Sequence, residues 1–305
     1  NPSAGKPTPT KSSQPQAEGT RRWIQSTRGW RGFWIIDFGL RSEIEAQQYE
    51  QPFELAWHTI RPVRLKNSEQ VARDKWWIFW RPRPEFKSAS SHFKRFIGTP
   101  RVAKHRLFVW LPNAVCLDSA AVGIARDDDT FFGIMHSRFH EEWSLRLGTW
   151  LGVGNDPRYT PTTTFETFPF PEGLTPDVPA ANYERDLRAK RIAILAEQLD
   201  QKRRAWLSPP DLVDVVPEII PTSASGEEPV RYPDRIVPKN AEAALELKER
   251  TLTNLYNQRP QWLASLHEAL DRAVAAAYGW PEDISTDDAL AKLLALNLER
   301  AAAGR

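Results

Sequence analysis

The sequence contains one cysteine, Cys116, and one methionine, Met135, among its 305 residues. A single thiol cannot close a disulfide within the chain or build a multi-cysteine metal site, which is typical of the reducing cytoplasm. No apolar run approaches the roughly 18 residues of a membrane-spanning helix, and residues 1–20 lack the apolar core of a signal peptide. We therefore expect a cytoplasmic protein without a membrane partner. Because the chain begins with Asn1 and its single methionine lies in the middle, we also expect it to be part of a longer protein, unless its start has been removed by processing.

The charge is distributed unevenly along the chain, although its net value is only +2. Residues 1–106 contain 20 Lys and Arg against 9 Asp and Glu, whereas residues 107–305 contain 21 against 30. The densest basic block, residues 75–106, has nine basic side chains against Glu85 alone, and eight of the thirteen tryptophans lie in residues 1–110. Cations neutralise phosphates and aromatic rings stack on bases, so this block fits nucleic acid. It fits equally well a solvated basic face over a tryptophan-rich core.

Strands and helices are predicted to alternate through the first half of the chain. The β-prone run 34–38 is followed by Ser42 and Glu45, which form a capping box for a helix through Tyr49. The aspartates at 127–129 supply an N-cap and favourable charge for a further helix. That helix is predicted at 130–147, a short one at 92–96, and further strands at 75–80, 101–106, 107–111 and 115–124.

Helices dominate the second half. Seven prolines between residues 208 and 239 predict an irregular linker within this helical part. The last helix is predicted to be capped by Ser285. The other helices of this half are predicted at 189–206, 240–256 and 260–279.

Two short motifs resemble methyltransferase elements, but neither has the sequence context it requires. The glycine-rich run Gly148–Gly154 follows a predicted helix and runs into Pro157, whereas a cofactor loop follows a strand and opens a helix. The pattern favours a helix C-cap and a turn. The run Ser208–Asp211 resembles the tetrad with which amino-methyltransferases hold a flipped base, but Asp211 cannot stack on that base.

Two further motifs resemble metal sites. Pro233-Asp234 with Glu246 and Lys248 has the spacing of a magnesium-dependent nuclease, but the last two lie in a predicted helix and point to different faces. His136 and His140 have a metal-ligand spacing without a third ligand nearby. Burial or contact with a nucleic-acid backbone is favoured for both histidines. No catalytic, cofactor or metal site is predicted in this chain.

Several segments, taken in order, resemble the C-terminal part of the MmeI-like class of bacterial DNA methyltransferases. These enzymes belong to type II restriction-modification and related phage-defence systems. The resemblance covers roughly residues 30–298. The matching segments are WIIDFG at 34–39, TPRVAKHR at 99–106, IARDDDTFFGIMHSRFH at 124–140, RYTPTTTFETFPFP at 158–171, RTLTNLY at 250–256 and AYGW at 277–280.

The resemblance implies an α+β target-recognition domain that reads double-stranded DNA, followed by a small all-α C-terminal region. Enzymes of the family transfer a methyl group from S-adenosylmethionine to the exocyclic amine of adenine. A Rossmann-like domain carrying a glycine-rich cofactor motif and an N-P-P-aromatic tetrad performs this transfer, and this sequence contains neither motif. The chain is therefore predicted to bind DNA without methylating it, with the catalytic domain supplied in cis or in trans. The predicted parts are a disordered tail or linker at 1–22, the target-recognition domain at 23–172 and the helical region at 173–305, with the proline-rich linker near 208–239.

The candidate DNA-contacting residues lie in three segments. In residues 99–106, an alternating β-like chain would aim Lys104 and Arg106 to one side and His105 to the other. Arginine can bond a guanine with two hydrogen bonds, while Lys, Ser, Thr and Tyr favour phosphates or single base contacts. The predicted DNA-binding residues are Arg101, Lys104, His105, Arg106, Ser137, Arg138, His140, Arg158, Tyr159 and Thr160.

Three alternatives remain open at this point. The chain can be a stand-alone DNA-binding specificity subunit of a multi-protein phage-defence complex that serves a separately encoded methyltransferase. It can be a complete methyltransferase that uses Gly148–Gly154 for S-adenosylmethionine. Finally, the tryptophan cluster and the basic block can form a surface for another protein.

Overall fold

The computed structural model describes residues 35–79, 82–150, 156–217 and 234–304. The described chain divides into a smaller unit within Phe33–Phe93 and a larger unit that contains Lys94–Arg305. No helix in the described ranges is long and apolar enough to cross a membrane. The sequence-based expectations for the tail at 1–22, for Trp34, Trp80 and Arg81, and for residues 151–155 and 218–233 fall outside the described residues.

Short helices build the smaller unit around an aromatic core. Phe38, Phe53 and Trp76 are buried together with Ala46 and Ala56, and the Trp76 ring lies 5.3 Å from that of Phe53. The predicted capping box is confirmed, because the Ser42 hydroxyl accepts from the Glu45 amide while the Glu45 carboxylate accepts from the Ser42 amide. The helices of this unit are α1 (Glu43–Gln47), α2 (Glu50–Thr59), α3 (Arg61–Arg64), α4 (Gln70–Asp74) and α5 (Pro84–Ser90).

Both strands predicted in this unit are wrong over the described residues. Residues 35–38 have no regular structure, and Ile35 and Ile36 are exposed. Residues 75–78 form turns that follow α4 and place Trp76 in the aromatic core. A β-prone run forms a strand only beside a partner, and the described part of this unit contains none.

The larger unit contains a three-stranded antiparallel sheet. Its central strand β1 pairs with β2 on one side and β3 on the other, so Ile97 lies opposite both Trp110 and Ile124. The strand β1 begins at Arg95, so the predicted helix at 92–96 is wrong and a turn after α5 takes its place. The strands are β1 (Arg95–Pro100), β2 (Val109–Pro112) and β3 (Ala121–Ile124).

The helix predicted at 130–147 is two helices, α6 (Asp129–His136) and α7 (Arg138–Leu147). Asp128 caps α6 as predicted, through its carboxylate and the Phe131 amide. Ser137 has an extended backbone, with φ −70° and ψ 151°, and this interrupts the helix. Phe132 of α6 stacks on Trp110 of β2 with ring centroids 4.6 Å apart, so α6 packs on the sheet.

Helices of the C-terminal part complete the core of this same unit. The helix α9 (Leu187–Leu207) packs against α6 and α12 (Gln261–Ala277), and α13 (Thr286–Ala302) packs against α7. The predicted domain border after residue 172 therefore falls inside the larger unit. Its remaining elements are β4 (Thr149–Trp150), β5 (Pro157–Arg158), α8 (Pro161–Thr164), a 3-10 turn (Ala180–Tyr183), β6 (Val213–Val216), β7 (Arg235–Pro238), α10 (Ala241–Glu249) and α11 (Leu252–Gln258).

The predicted fold class is confirmed, since an α+β part is followed by a mainly helical one. The helix cap at Ser285 is as predicted, and Gly279 adopts the left-handed conformation, with φ 73°, just beyond α12. Asn240, the predicted first residue of a helix, is the N-cap of α10. Two features of this half were not predicted. The ends of the proline-rich linker pair as the antiparallel strands β6 and β7, and the helix predicted at 240–256 is divided between α10 and α11.

Gly133 is a point of close packing between α6 and α9. A Cβ atom at this position would lie 2.5 Å from Cγ2 of Ile192 and 3.1 Å from Cβ of Ala196. Ile192 is fully buried and β-branched, so it cannot move aside. We expect Gly133→Ala to lower the free energy of unfolding by about 1–2 kcal/mol, because overpacking outweighs the gain in helix propensity. Urea denaturation measures this change. An unchanged midpoint would contradict the expectation, because it would show that α6 and α9 move apart enough to accept the methyl group without loss of stability.

Candidate nucleic-acid interface

The loop between β1 and β2, residues 101–108, contains four of the ten predicted DNA-binding residues. Its first half is not the β-like strand that was predicted. The Arg101 amide donates to the Ala120 carbonyl at 2.7 Å, while the Arg101 carbonyl accepts from the Tyr159 amide at 2.7 Å. One isolated bridge, between Val102 and Arg158, follows. Because its backbone bonds to two different segments, this β1–β2 loop is held beside β5 without forming a ladder.

The buried side chain of Arg106 holds this loop in place. It donates to the carbonyls of Pro100 at 3.0 Å and Pro157 at 3.1 Å, and its guanidinium lies 4.8 Å from the centre of the Tyr159 ring. Burial lowers the pKa of Arg106 to about 10, so the group stays charged at neutral pH. Arg106 is only 5% exposed, so the prediction that it contacts DNA directly is corrected to a structural role.

Ser137, His140 and Tyr159 are also interior residues, each fully buried. The Tyr159 hydroxyl donates to Nε2 of His140 at 3.1 Å, and Nδ1 of His140 donates to the Met135 carbonyl at 3.1 Å. Burial and the nearby Arg106 lower the pKa of His140 to about 3, which keeps the ring neutral. The Ser137 hydroxyl donates to the Ile134 carbonyl at 2.7 Å. Direct DNA contact by these three residues is likewise corrected, because their side chains do not reach the surface.

A second buried arginine, which the sequence analysis did not identify, fastens the other end of the loop. Arg203 of α9 is 2% exposed and donates to the Phe108 carbonyl and to Nε2 of His136, both at 2.8 Å. Nδ1 of His136 donates to the Phe132 carbonyl at 3.0 Å. Burial and Arg203 lower the pKa of His136 well below its usual value. A signal for Arg203 exists in the sequence, since it continues the apolar spacing of Ala196 and Leu199 along α9.

His136 and His140 both form hydrogen bonds inside the protein. The nitrogen Nε2 of His136 faces Arg203, and the same atom of His140 faces Tyr159. Of the two outcomes that the sequence favoured for this pair, the structure shows burial.

The tip of the β1–β2 loop is exposed, and a helix of the C-terminal part fixes its position. Lys104 is exposed and His105 half-buried, and both contact Oδ1 of Asn257 on α11, at 2.7 and 2.9 Å. The His105 ring also lies 5.9 Å from that of Tyr256. Two side chains that can contact phosphates or base edges thus lie on a loop that is held by Arg106 in the interior and by Asn257 at its tip.

The second predicted segment, 158–160, lies beside this loop. Arg158 and Thr160 are half-buried, and the buried Nε atom of Arg158 has no hydrogen-bond partner in the described part of the chain. Arg101, also half-buried, donates from Nε to the Ser119 carbonyl at 3.0 Å. The structure therefore brings five surface candidates to one region. They are Arg101, Lys104, His105, Arg158 and Thr160.

Arg138, the remaining predicted residue, contacts the C-terminal helices. Its guanidinium donates to the Thr286 hydroxyl and to the Ile284 carbonyl. Its amide, at the start of α7, donates to Oδ1 of Asp271 at 2.7 Å. Burial raises the pKa of Asp271 to about 7, although this hydrogen bond and the Arg138 charge act in the opposite direction.

The basic block at 75–106 is divided between the two compact units after Phe93. Several of its cations have intramolecular partners. Lys87 pairs with Asp37, and Arg95 pairs with Asp129 at 2.8 Å while lying 3.8 Å from the centre of the Trp110 ring. The described residues of the block therefore do not form a continuous strip of unpaired charge. The exposed surface of the β1–β2 loop is a small part of it.

The described part of the glycine-rich run consists of residues 148–150, directly after α7. Gly148 ends that helix, and the chain continues directly into β4. A Cβ atom at Gly148 would lie 2.5 Å from the Ser144 carbonyl oxygen and 3.0 Å from that of Arg158, so glycine is needed for this close approach. A dinucleotide loop requires the opposite order, from strand to helix. The predicted helix C-cap is confirmed at Gly148. The predicted turn falls on residues 151–155, outside the described residues.

No family model and no curated protein matches the sequence. A solved structure with a similar fold is that of the type IIL restriction-modification enzyme MmeI in complex with DNA, with a TM-score of 0.57 and 16% sequence identity. The alignment covers 88% of this chain and 29% of that enzyme. This chain shares the fold of part of MmeI. It spans less than a third of that enzyme's length.

Proposed function

We propose that this chain is the target-recognition portion of a restriction-modification enzyme and binds double-stranded DNA. The observation that supports this most strongly is a fold shared over 88% of the chain with an enzyme whose structure contains DNA. The solvent-accessible residues of the β1–β2 loop and of segment 158–160 supply the chemistry, because the bridge between Val102 and Arg158 brings their cations and hydrogen-bond donors close together in the fold.

The finer proposal is that the parent enzyme is an adenine-specific methyltransferase that uses S-adenosylmethionine. It is supported by the resemblance of the sequence segments to that family. Two of these segments, 124–140 and 158–171, pack against one another in the fold. Phe131 of α6 stacks on Phe170 with ring centroids 4.9 Å apart, and His140 of α7 lies 5.0 Å from Phe168. The cofactor and the transferred methyl group would be held by a catalytic domain outside this chain, joined to it or separately encoded.

In this proposal the buried residues position the exposed ones. Arg106 and Arg203 fix the two ends of the β1–β2 loop, and Asn257 fixes its tip. A loop that is already ordered loses little conformational entropy when it binds, so more of the contact energy appears as affinity. Lys104 suits a phosphate, while Arg101 and Arg158 have the planar guanidinium that can bond a guanine edge.

Lys104→Ala tests this proposal. If Lys104 neutralises one phosphate, the variant should bind duplex DNA more weakly at low salt, and the slope of log affinity against log salt should fall by about one. Fluorescence anisotropy of a labelled duplex across a salt series measures both quantities. The matched control is Lys202→Ala, an exposed lysine on α9, which should leave the slope unchanged. Equal slopes for all three proteins would remove Lys104 from the interface, and salt-independent or absent binding would contradict the proposed function.

A further inference from the structure

The last helix, α13, has an apolar outer face. Leu294 and Leu298 are 53% and 59% exposed, and they are separated by one helical turn. The residues that share this face are exposed alanines or leucines at three- and four-residue spacing: Ala291, Leu294, Ala295, Leu298, Ala301 and Ala302. A surface helix normally places polar residues opposite its buried face. The apolar side chains of this outer face are therefore available for a contact with another helix.

The inner face of α13 already has a partner. Ala289 and Leu293 are buried, α13 packs on α7, and the Asn297 amide donates to the Thr167 carbonyl at 2.6 Å. The apolar residues on the outer face are thus not required to hold α13 in place. Small alanines beside two leucines let a second helix approach closely.

The charges beside this face determine which partner fits. Lys292 and Glu299 are seven residues apart, so they lie on one edge of α13, and both line the same groove together with Ala295. In a parallel pair of identical helices about a two-fold axis, the charged edges of the two copies lie on opposite sides of the contact, so Lys292 and Glu299 of different copies cannot pair. In an antiparallel pair, the two-fold axis places Lys292 of one helix near Glu299 of the other, at both ends of the contact.

We propose that α13 packs against α13 of a second copy of this chain, antiparallel and about a two-fold axis. The leucines and alanines of the outer face form the centre of the contact. Two reciprocal ion pairs, Lys292 with Glu299, form along its edge. The antiparallel direction also aligns the helix dipoles favourably and brings the acidic first turn, with Asp287 and Asp288, toward the end that carries Arg300.

The contact is expected to be weak. A single pair of 17-residue helices buries less than the roughly 800 Å² per partner of a stable interface, so the dimer should form only at high protein concentration. The proposal does not depend on DNA binding, and its test uses no DNA.

The test uses charge reversal in the full chain. We expect Lys292→Glu and Glu299→Lys each to weaken self-association at least about tenfold, since each places like charges together at both ends of the contact. Mixing the two variants should restore association, because every facing pair is then of opposite sign. Sedimentation equilibrium up to about 0.5 mM covers the affinity range of such small interfaces.

Two further variants complete the test. Leu294→Glu should abolish association, and circular dichroism should show an unchanged helix content because the residue is exposed. The matched control is Lys248→Glu on α10, an exposed lysine on another helix, which should associate as the native chain does. A native chain that stays monomeric throughout the range would overturn the proposal. Failure of the mixed variants to associate would overturn the antiparallel arrangement.

Discussion

Arg203→Met is expected to be the most destabilising of the substitutions considered, lowering the free energy of unfolding by about 2–4 kcal/mol. Methionine fills much of the same space, but it cannot donate to the Phe108 carbonyl or to Nε2 of His136. A buried hydrogen bond from a charged donor is worth about 1.5–3 kcal/mol, and an unpaired buried carbonyl adds a penalty. The β1–β2 loop would lose its attachment to α9 at the same time.

Urea denaturation at neutral pH measures this loss. The matched control is Arg204→Met, the next residue of α9, whose side chain is exposed and pairs with Asp200. A surface pair of this kind contributes about 0–1 kcal/mol, so the control should remain close to the native chain. The opposite outcome has a clear physical meaning. If Arg203→Met is as stable as the native chain, the cost of burying the guanidinium charge cancels its hydrogen bonds.

Asp271→Asn is expected to change how stability depends on pH. The pKa of Asp271 is raised to about 7 in the folded chain, because the group is buried, and is near 3.8 when unfolded. Between these values the folded chain binds the additional proton, so this group's contribution to stability falls as pH rises. From pH 5 to pH 8.5 the loss is about 2–3 kcal/mol, given about 1.4 kcal/mol per pKa unit.

Asparagine cannot titrate, and its carbonyl oxygen can still accept from the Arg138 amide. The variant should therefore lose about 2–3 kcal/mol less stability than the native chain over that interval. Comparing the two proteins cancels the titration of all other groups. Carboxyl-carbon NMR of Asp271 provides a second measurement. Parallel stability profiles, together with an Asp271 resonance that titrates near pH 4, would contradict the expectation.

The sequence predicts the local features of this fold well. The capping box of Ser42 and Glu45 and the caps at Asp128 and Ser285 are all present, because each depends on residues within one helical turn. Strands are predicted less well. Residues 75–78 have a strand-like composition, but the aromatic core of the smaller unit takes up Trp76 instead. A strand depends on a partner that the local sequence does not identify.

In the candidate interface, too, features that depend on distant parts of the chain were not predicted. The two segments 101–106 and 158–160, both predicted to contact DNA, lie side by side through the bridge of Val102 and Arg158. The roles of individual residues were not predicted. Arg106 and Tyr159 are polar residues of types that usually reach solvent, and their burial depends on hydrogen-bond partners from other segments of the chain.

The break at Ser137 has a consequence for engineering this protein. The first amide of α7 is capped by Asp271, which lies 133 residues further along the chain, and the β1–β2 loop is attached to Arg203 and Asn257. A graft of residues 94–172 alone into another scaffold would leave these groups unsatisfied. Chimeras designed to test the proposed DNA recognition should therefore retain residues 187–302 as the native support, and should vary only the exposed tip.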